Sequence, residues 1–147
     1  MTRDEANRAI QELARAEGGA SSGLGERNLT GVQFSDGREV YFEYRQPFVP
    51  AEPGALKCSA LVYRFHTEPK PGLLDGFRAE EQAGTPTGGG ALEYQEQGRA
   101  LFLARSYSKP PALDAFREEM AALRRAARVW QNDVLERVTR KVFHPGS

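Results

Sequence analysis

The stretch from residue 89 to residue 130 says most about the fold, and it reads GGALEYQEQGRALFLARSYSKPPALDAFREEMAALRRAARVW. Two β-rich runs, Ala91–Gln95 and Arg99–Tyr107, flank a turn that ends in Gly98, which predicts a β-hairpin. Two prolines then end the strand pattern. From Leu113 onward, apolar residues spaced by threes and fours predict one amphipathic helix of about seven turns. Its apolar face consists of Leu113, Phe116, Met120, Leu123, Ala127, Trp130, Val134 and Val138.

Upstream of this stretch, the sequence predicts three more strands, over Leu29–Phe34, Glu39–Phe48 and Leu56–His66. The first two are joined through Asp36-Gly37, a strong hairpin signal because both residues accept the backbone angles of a tight turn. In the second strand apolar and polar residues alternate, which is typical of a sheet with one covered face. The third strand is apolar on both faces at its centre, so we expect it in the middle of the sheet.

Two further helices are predicted. Thr2 followed three residues later by Glu5 forms a capping-box pattern, and Gly18-Gly19 ends the helix that it begins. A short second helix begins near Pro71 and ends before Gly84. The element order α-β-β-β-α-β-β-α predicts an α+β fold in which helices cover one face of a five-stranded antiparallel sheet.

Size and composition favour one domain over residues 1–147, in the cytoplasm. Twenty basic residues balance twenty acidic ones, so no net positive field is available to hold nucleic acid. The longest apolar run, Ala60–Tyr63, is far too short to span a membrane, and residues 1–5 lack the apolar segment of a signal peptide. The single cysteine, Cys58, excludes an internal disulfide, which is typical of a reducing compartment.

Few residues are suited to catalysis. The chain has one cysteine and two histidines, His66 and His144. Cys58 and His66 are eight positions apart on one predicted strand, too far apart for a nucleophile–base pair. We expect Cys58 to be a buried packing residue, His66 to be exposed at a strand end and His144 to lie in the tail. No His or Cys spacing matches a zinc site, so we expect no metal, no cofactor and no enzymatic activity.

Other polar patterns favour structural roles. Gly18-Gly19 and Gly88-Gly89-Gly90 lack the lysine of a phosphate-binding loop and are interpreted as hinges. The carboxylates of the second helix, Asp75, Glu80 and Glu81, are expected in solvent. Basic and acidic residues alternate in the last helix, which predicts a charged face with neighbouring ion pairs rather than an anion site. Those residues are Glu118, Glu119, Arg124, Arg125, Arg128, Asp133, Glu136, Arg137, Arg140 and Lys141.

The second helix carries many apolar residues for its length. Leu73, Leu74 and Phe77 share one predicted face of a segment barely three turns long. One interpretation is that a second copy of the chain covers this patch, as in an isologous dimer. The other is that the helix packs on its own sheet. The residues by themselves leave both interpretations open.

The element order, with the passage Gly89–Tyr107 leading into Leu113–Trp130, resembles the CesT-like chaperones of bacterial type III secretion. The likeness covers nearly the whole chain in outline. Its second half matches best, with a Gly-rich link, a hairpin with a leucine-rich strand, and a helix that starts near a Leu-x-x-Phe and contains a tryptophan. The family is defined by this pattern rather than by invariant residues.

The resemblance implies a homodimer and a protein client. The implied dimer interface, around the second helix and the following strand, consists of Leu73, Leu74, Phe77, Leu92 and Tyr94. In the family an N-terminal region of a secreted protein wraps, extended, around the dimer and docks in apolar grooves. The implied client contacts, in the first helix and the sheet, are Ile10, Leu13, Val32, Phe34, Val40, Phe42 and Tyr44.

Two features depart from the family pattern. Such chaperones are typically acidic, whereas this chain has no net charge, and its first helix has alanines where the family has leucines. The same architecture occurs in YbjN-like regulatory proteins. The expected function is therefore a dimeric, ATP-independent chaperone that binds an extended N-terminal segment of a secreted client. The alternative is a YbjN-like regulatory or scaffold domain that threads no client.

Overall fold

A computed structural model describes residues 1–19, 21, 23–49 and 51–143. His144 therefore lies outside the described residues. The order of elements is the one that the sequence predicts. They are α1 (Arg3–Ala16), β1 (Leu29–Gln33), β2 (Glu39–Arg45), β3 (Ala55–Arg64), α2 (Pro71–Gln82), β4 (Ala91–Gln95), β5 (Ala100–Tyr107), α3 (Leu113–Val129), a π-helical segment (Trp130–Val134) and α4 (Leu135–Phe143).

The five strands form one antiparallel sheet in the order β1-β2-β3-β5-β4. The predicted central position of β3 is confirmed. Because directly paired residues of an antiparallel sheet point to the same face, the register sorts every strand into two sets. Phe42 pairs with Cys58 on one face, whereas Tyr41 pairs with Ser59 on the other. We call these the inner face, on which the helices pack, and the open face.

The inner face and the helices enclose the core. Phe116 of α3 lies edge-on against Phe42, with ring centroids 6.1 Å apart, and against Tyr107 at 5.4 Å. Trp130 is fully buried, as predicted, and stacks on Phe77 of α2 at 6.2 Å. Its indole nitrogen donates a hydrogen bond to the carbonyl oxygen of Pro86 at 2.8 Å. The predicted coverage of one sheet face by helices is thus confirmed.

Local signals explain where the elements begin and end. The Thr2–Glu5 capping box is present, with Glu5 N donating to Thr2 Oγ1 at 3.1 Å and Thr2 N donating to Glu5 Oε1 at 2.9 Å. Strand β2 ends at Arg45, earlier than the predicted Phe48, because a proline at position 47 has no amide for the ladder. The predicted single last helix instead contains a π-helical turn and continues to Phe143.

The interpretation of Gly88-Gly89-Gly90 as a hinge is wrong. Gly88 has a φ of +68°, and a Cβ added there would lie 2.9 Å from the Cα of Leu123 in α3. At Gly90, an added Cβ would lie 2.8 Å from Cδ1 of Leu123 and 3.0 Å from the carbonyl oxygen of Ala104. These glycines allow the link to β4 to pass closely under α3, so the segment is tightly packed.

Candidate protein-binding surfaces

The seven residues that the resemblance places in a client groove are core residues in this structure. All are buried, with at most 7% of each residue exposed: Ile10, Leu13, Val32, Phe34, Val40, Phe42 and Tyr44. The sheet members of this set lie on the inner face beneath the helices, and the Tyr44 hydroxyl donates to the carbonyl oxygen of Met1 at 3.0 Å. The structure brings the seven together, but as packing residues. Their role as client contacts stays a prediction.

The predicted dimer residues divide into two groups. Leu73 and Phe77 are buried within their own chain, so this part of α2 packs on its own domain. Leu74, Leu92 and Tyr94 are partly exposed and lie together, lining a small cavity of about 50 Å³. Leu74 and Tyr94 also line a larger, shallower depression of about 430 Å³ beside it. An apolar patch therefore remains accessible along α2 and β4.

The open face forms a second surface, on which Tyr41 and Leu61 are partly exposed whereas Lys57, Ser59 and Phe102 are buried by their neighbours. Its central residues, placed there by the strand register, are Tyr41, Lys57, Ser59, Leu61 and Phe102. Tyr41 and Phe102 meet edge to face, with ring centroids 6.0 Å apart. A depression of about 660 Å³ runs over this face, and Leu29 at its margin is 48% exposed. The residues that alternate with the core positions thus form a broad concave surface.

Charges on the open face are largely paired. Lys57, only 5% exposed, forms an ion pair with Glu93 of β4, and Arg45 pairs with Glu43 at 2.7 Å. Burial, with the nearby Glu39 carboxylate, raises the pKa of Tyr41. Sequence reasoning missed the Lys57–Glu93 pair because it treated the centre of β3 as apolar on both faces. A lysine inside an otherwise apolar strand was the available signal.

A third surface lies between the start of β2 and the end of α3, where the π-helical segment begins. We call it the basic notch: a depression of about 680 Å³ lined by Arg38, Arg124, Arg125, Arg128, Gln131 and Asn132, with Asp36 and Glu39 also in its lining. Arg124 pairs with Asp36 at 3.1 Å, and its guanidinium stacks on the Phe34 ring at 3.8 Å. Tyr41 lines both this notch and the open-face depression, so the two adjoin at this residue.

The predicted pattern of neighbouring ion pairs along the last helix is mostly wrong. Arg140 and Glu136 form such a pair at 2.8 Å, but Glu119 pairs with Arg105 of β5 and Arg137 with Glu80 of α2. Among the described residues, neither Arg125 nor Arg128 has an ion-pair partner. Most of these charged side chains form ion pairs with other elements of the fold. The periodicity of one helix does not reveal such partners.

The prediction that the α2 carboxylates are all solvated is correct for Asp75 and wrong for Glu80. The Glu80 side chain is 12% exposed and accepts two hydrogen bonds from Arg137, at 2.7 and 2.9 Å. This contact, with a hydrogen bond from Thr85, lowers the pKa of Glu80 to about 2. Glu81 accepts from the backbone amide of Leu92 at 2.6 Å. Both glutamates therefore anchor α2, to α4 and to the outer edge of β4.

Among the described residues, the side chains that could act in catalysis or bind a metal do not lie together. Cys58 is fully buried, as predicted, and burial raises the pKa of its thiol. His66 is exposed just beyond the end of β3, also as predicted. Within the described ranges, no three His, Cys, Asp or Glu side chains are placed to hold a metal ion. The helices of the described chain include none long and apolar enough to cross a membrane.

Comparison with known proteins identifies solved structures that share this fold. No family model and no curated protein matches the sequence. Among solved structures, a chain of the ExsC–ExsE complex superposes with a TM-score of 0.60 at 18% identity, covering 88% of this chain and 92% of that one. A chain of the HopA1–SchA chaperone–effector complex gives a TM-score of 0.58 at 13% identity, covering 89% of this chain and 98% of that one. At such identities the likeness establishes the fold, and the predicted α+β architecture is confirmed.

Proposed function

We propose that this chain, which has the fold of the type III secretion chaperones, is itself a chaperone that binds an extended segment of a client protein without ATP. The proposed client is a secreted, effector-like polypeptide, held through its N-terminal region in the cytoplasm. The similar structures support this proposal, since one is described as a chaperone–effector complex and the other as a two-protein complex.

The observation that carries the proposal is the open face of the sheet. Tyr41 and the exposed Leu29 present apolar surface in a depression of about 660 Å³, above the buried Phe102 ring. A globular client would meet such a surface poorly, but an extended segment can fill it with every second side chain. We assign the client to this face, because the inner-face residues are enclosed by the helices of the same chain.

We further propose that the functional unit is a homodimer built on the patch of Leu74, Leu92 and Tyr94. The patch rests on the core through Phe65, which is 9% exposed and has its ring 6.3 Å from that of Tyr94. A stable dimer buries about 1,200–2,000 Å² in total, so neighbouring residues of α2 and β4 would join the interface. Two copies joined here would present two open faces to one long client.

The dimer is tested by the solution mass of three proteins. We expect a dimer for the native chain, a folded monomer for Leu74→Glu because a buried charge disrupts the interface, and a dimer for Val129→Glu. Val129 is a suitable control because it is exposed on α3, away from the patch. A monomeric native chain, or a dimeric Leu74→Glu variant, would contradict this interface. Phe77→Glu is unsuitable here because Phe77 is fully buried within its own chain.

The client is tested by purifying the tagged chain from its own cells. We expect one polypeptide in stoichiometric amount, with a contiguous N-terminal segment protected from limited proteolysis. The double variant Leu29→Asp/Tyr41→Asp should lose it, whereas Val129→Asp should retain it. The matched comparison is between the single variants Leu29→Asp and Val129→Asp, since the two residues are 48% and 46% exposed, and it separates the effect of position from that of hydrophobicity.

Two results would count against the proposal. A native chain that carries no partner would favour the alternative of a regulatory or scaffold domain in which the dimer alone is functional. Retention of the client by the double variant would show that binding uses another surface.

A further inference from the structure

We propose that the basic notch binds the carboxylate of an acidic residue in the client, next to the segment held on the open face. This inference rests on the proposed chaperone function and deepens it, since it names the chemistry of the client. It predicts that the bound segment combines apolar side chains with an acidic residue at one end.

Arg124 is a largely buried, fixed positive charge at the base of the notch. Its side chain is only 11% exposed, its Nε bonds Asp36 at 3.1 Å, and its guanidinium plane rests on the Phe34 ring. Within the described part of the chain, its Nη1 is buried and has no hydrogen-bond partner. Because that atom is out of reach of solvent, Arg124 contributes its positive charge from the base of the notch, and the exposed Arg125 and Arg128 make the direct contact with a ligand oxygen. The stacking on Phe34 and the ion pair with Asp36 fix the position of the guanidinium before a ligand binds.

The π-helical segment is a second, independent feature of the notch. Trp130 and Val134 within it are fully buried, whereas Gln131 and Asn132 between them line the notch. Single π-helical turns inside α-helices often occur at functional sites, because the extra residue per turn redirects side chains. Here the turn places two amide side chains, which can donate hydrogen bonds, beside Arg124 and Arg128.

The charge of the notch favours a carboxylate over a nucleic-acid strand. Four arginines line it, and Asp36 and Glu39 contribute two opposing charges. The net charge of +2 suits a small anionic group, and the planar pair of oxygens of a carboxylate matches the fork of an arginine. A nucleic-acid strand would need a broader positive surface, which a chain with equal numbers of acidic and basic residues does not offer. Because Tyr41 borders both depressions, a client on the open face reaches the notch directly.

The experiment is an NMR titration of the labelled protein with hexaglutamate, which has no apolar side chains to occupy the open face. We expect shifts of the Arg124 Nε–H, Gln131 and Asn132 signals. Hexaglutamine should cause none of them. Binding should weaken when salt rises from about 0.1 M to about 1 M, which shortens the Debye length from about 10 Å to about 3 Å.

Matched variants locate the site. Arg125→Gln/Arg128→Gln removes two exposed arginines of the notch and should weaken hexaglutamate binding about tenfold. Arg8→Gln removes an exposed arginine of α1 outside the notch and should leave the affinity unchanged. The double variant should also weaken binding of the native client, with the open face intact.

Three results would overturn the inference. The first is that hexaglutamate shifts no NMR signal of the notch. The second is that the Arg125→Gln/Arg128→Gln variant binds hexaglutamate with the same affinity as the native chain. The third is that the notch binds inorganic phosphate in preference to hexaglutamate. None of these affects the proposed chaperone function, which depends on client retention through Leu29 and Tyr41. Conversely, loss of the client in Leu29→Asp, a residue outside the lining of the notch, with hexaglutamate binding preserved, would separate the two sites.

Discussion

The two faces of the sheet are built from the same strands but differ in what covers them. On the inner face, Phe42 is enclosed between the sheet and Phe116 of α3. On the open face, its neighbour Tyr41 contacts Phe102 and borders a depression. Alternation along a strand shows which residues share a face. Here the more apolar set lies on the inner face and is buried under the helices. The residues that a partner can reach are those of the open face, which combine aromatic rings with ion-paired side chains.

The sharpest test of this difference substitutes adjacent residues of β2. Phe42→Asp should lower the free energy of unfolding by about 4 kcal/mol or more, because it places an unpaired charge in the core. Tyr41→Asp should lower it by only about 1 kcal/mol, chiefly through loss of the aromatic pair with Phe102. Denaturant unfolding of both variants measures the comparison. Similar losses for the two variants would mean that the open face is packed like a core.

The next largest effect concerns the helical side of the molecule. Gly88→Val should cost about 3 kcal/mol, because Gly88 has a positive φ and an added Cβ would meet the backbone of Ala122 and Leu123. Gly84→Ala is the control, since Gly84 also has a positive φ but has open space where the Cβ would lie. We expect about 1 kcal/mol for it, from backbone strain alone. Equal costs in thermal unfolding would contradict the tight passage under α3.

The Lys57–Glu93 pair tests whether the open face has a core-like element of its own. Glu93→Gln should destabilise the protein by about 2 kcal/mol, because it leaves the buried Lys57 charge without its partner. Glu43→Gln, which breaks an exposed pair with Arg45, should change stability by less than about 0.5 kcal/mol. If both substitutions were nearly neutral in denaturant unfolding, Lys57 would not depend on Glu93.

The smallest effect is a pH dependence of the helical side. Arg137 and Thr85 lower the pKa of Glu80 from its ordinary 4.5 to about 2, so the carboxylate stabilises the folded state above pH 4.5. That contribution, about 1 kcal/mol because Arg137 is half exposed, should be lost as the pH falls from 4.5 to 2. Glu80→Gln should remove this part of the pH dependence. An unchanged profile in the variant would contradict the role of the Glu80–Arg137 contact.

Most of the architecture could be predicted because its signals are local. The Thr2–Glu5 capping box and the Asp36-Gly37 turn act within a few residues, and the period of the last helix is long enough to be unambiguous. The π-helical turn could not be predicted in this way, since the apolar spacing from Trp130 to Val134 fits an α-helix equally well. Its presence depends on packing around Trp130 and Val134.

The exposure of individual residues in the candidate surfaces was harder to predict than the fold. The resemblance implies that Val40, Phe42 and Tyr44 contact a client, and in the structure these side chains are buried in the core, so that role stays a prediction. Leu74, Leu92 and Tyr94 do form an accessible patch, but Leu73 and Phe77 turn inward. Which side of a strand or short helix is covered depends on distant elements, and local periodicity carries no information about them.

The central claim, that the client lies on the open face, is tested most directly by site-specific photo-crosslinking. p-Benzoylphenylalanine replaces Tyr41 on the open face in one variant and Val129 on α3 in another, and each is irradiated in cells that make the client. We predict a crosslink to the client N-terminal region from position 41 and none from position 129. Crosslinks from position 129 with none from position 41 would contradict the claim and place the client on the helical side.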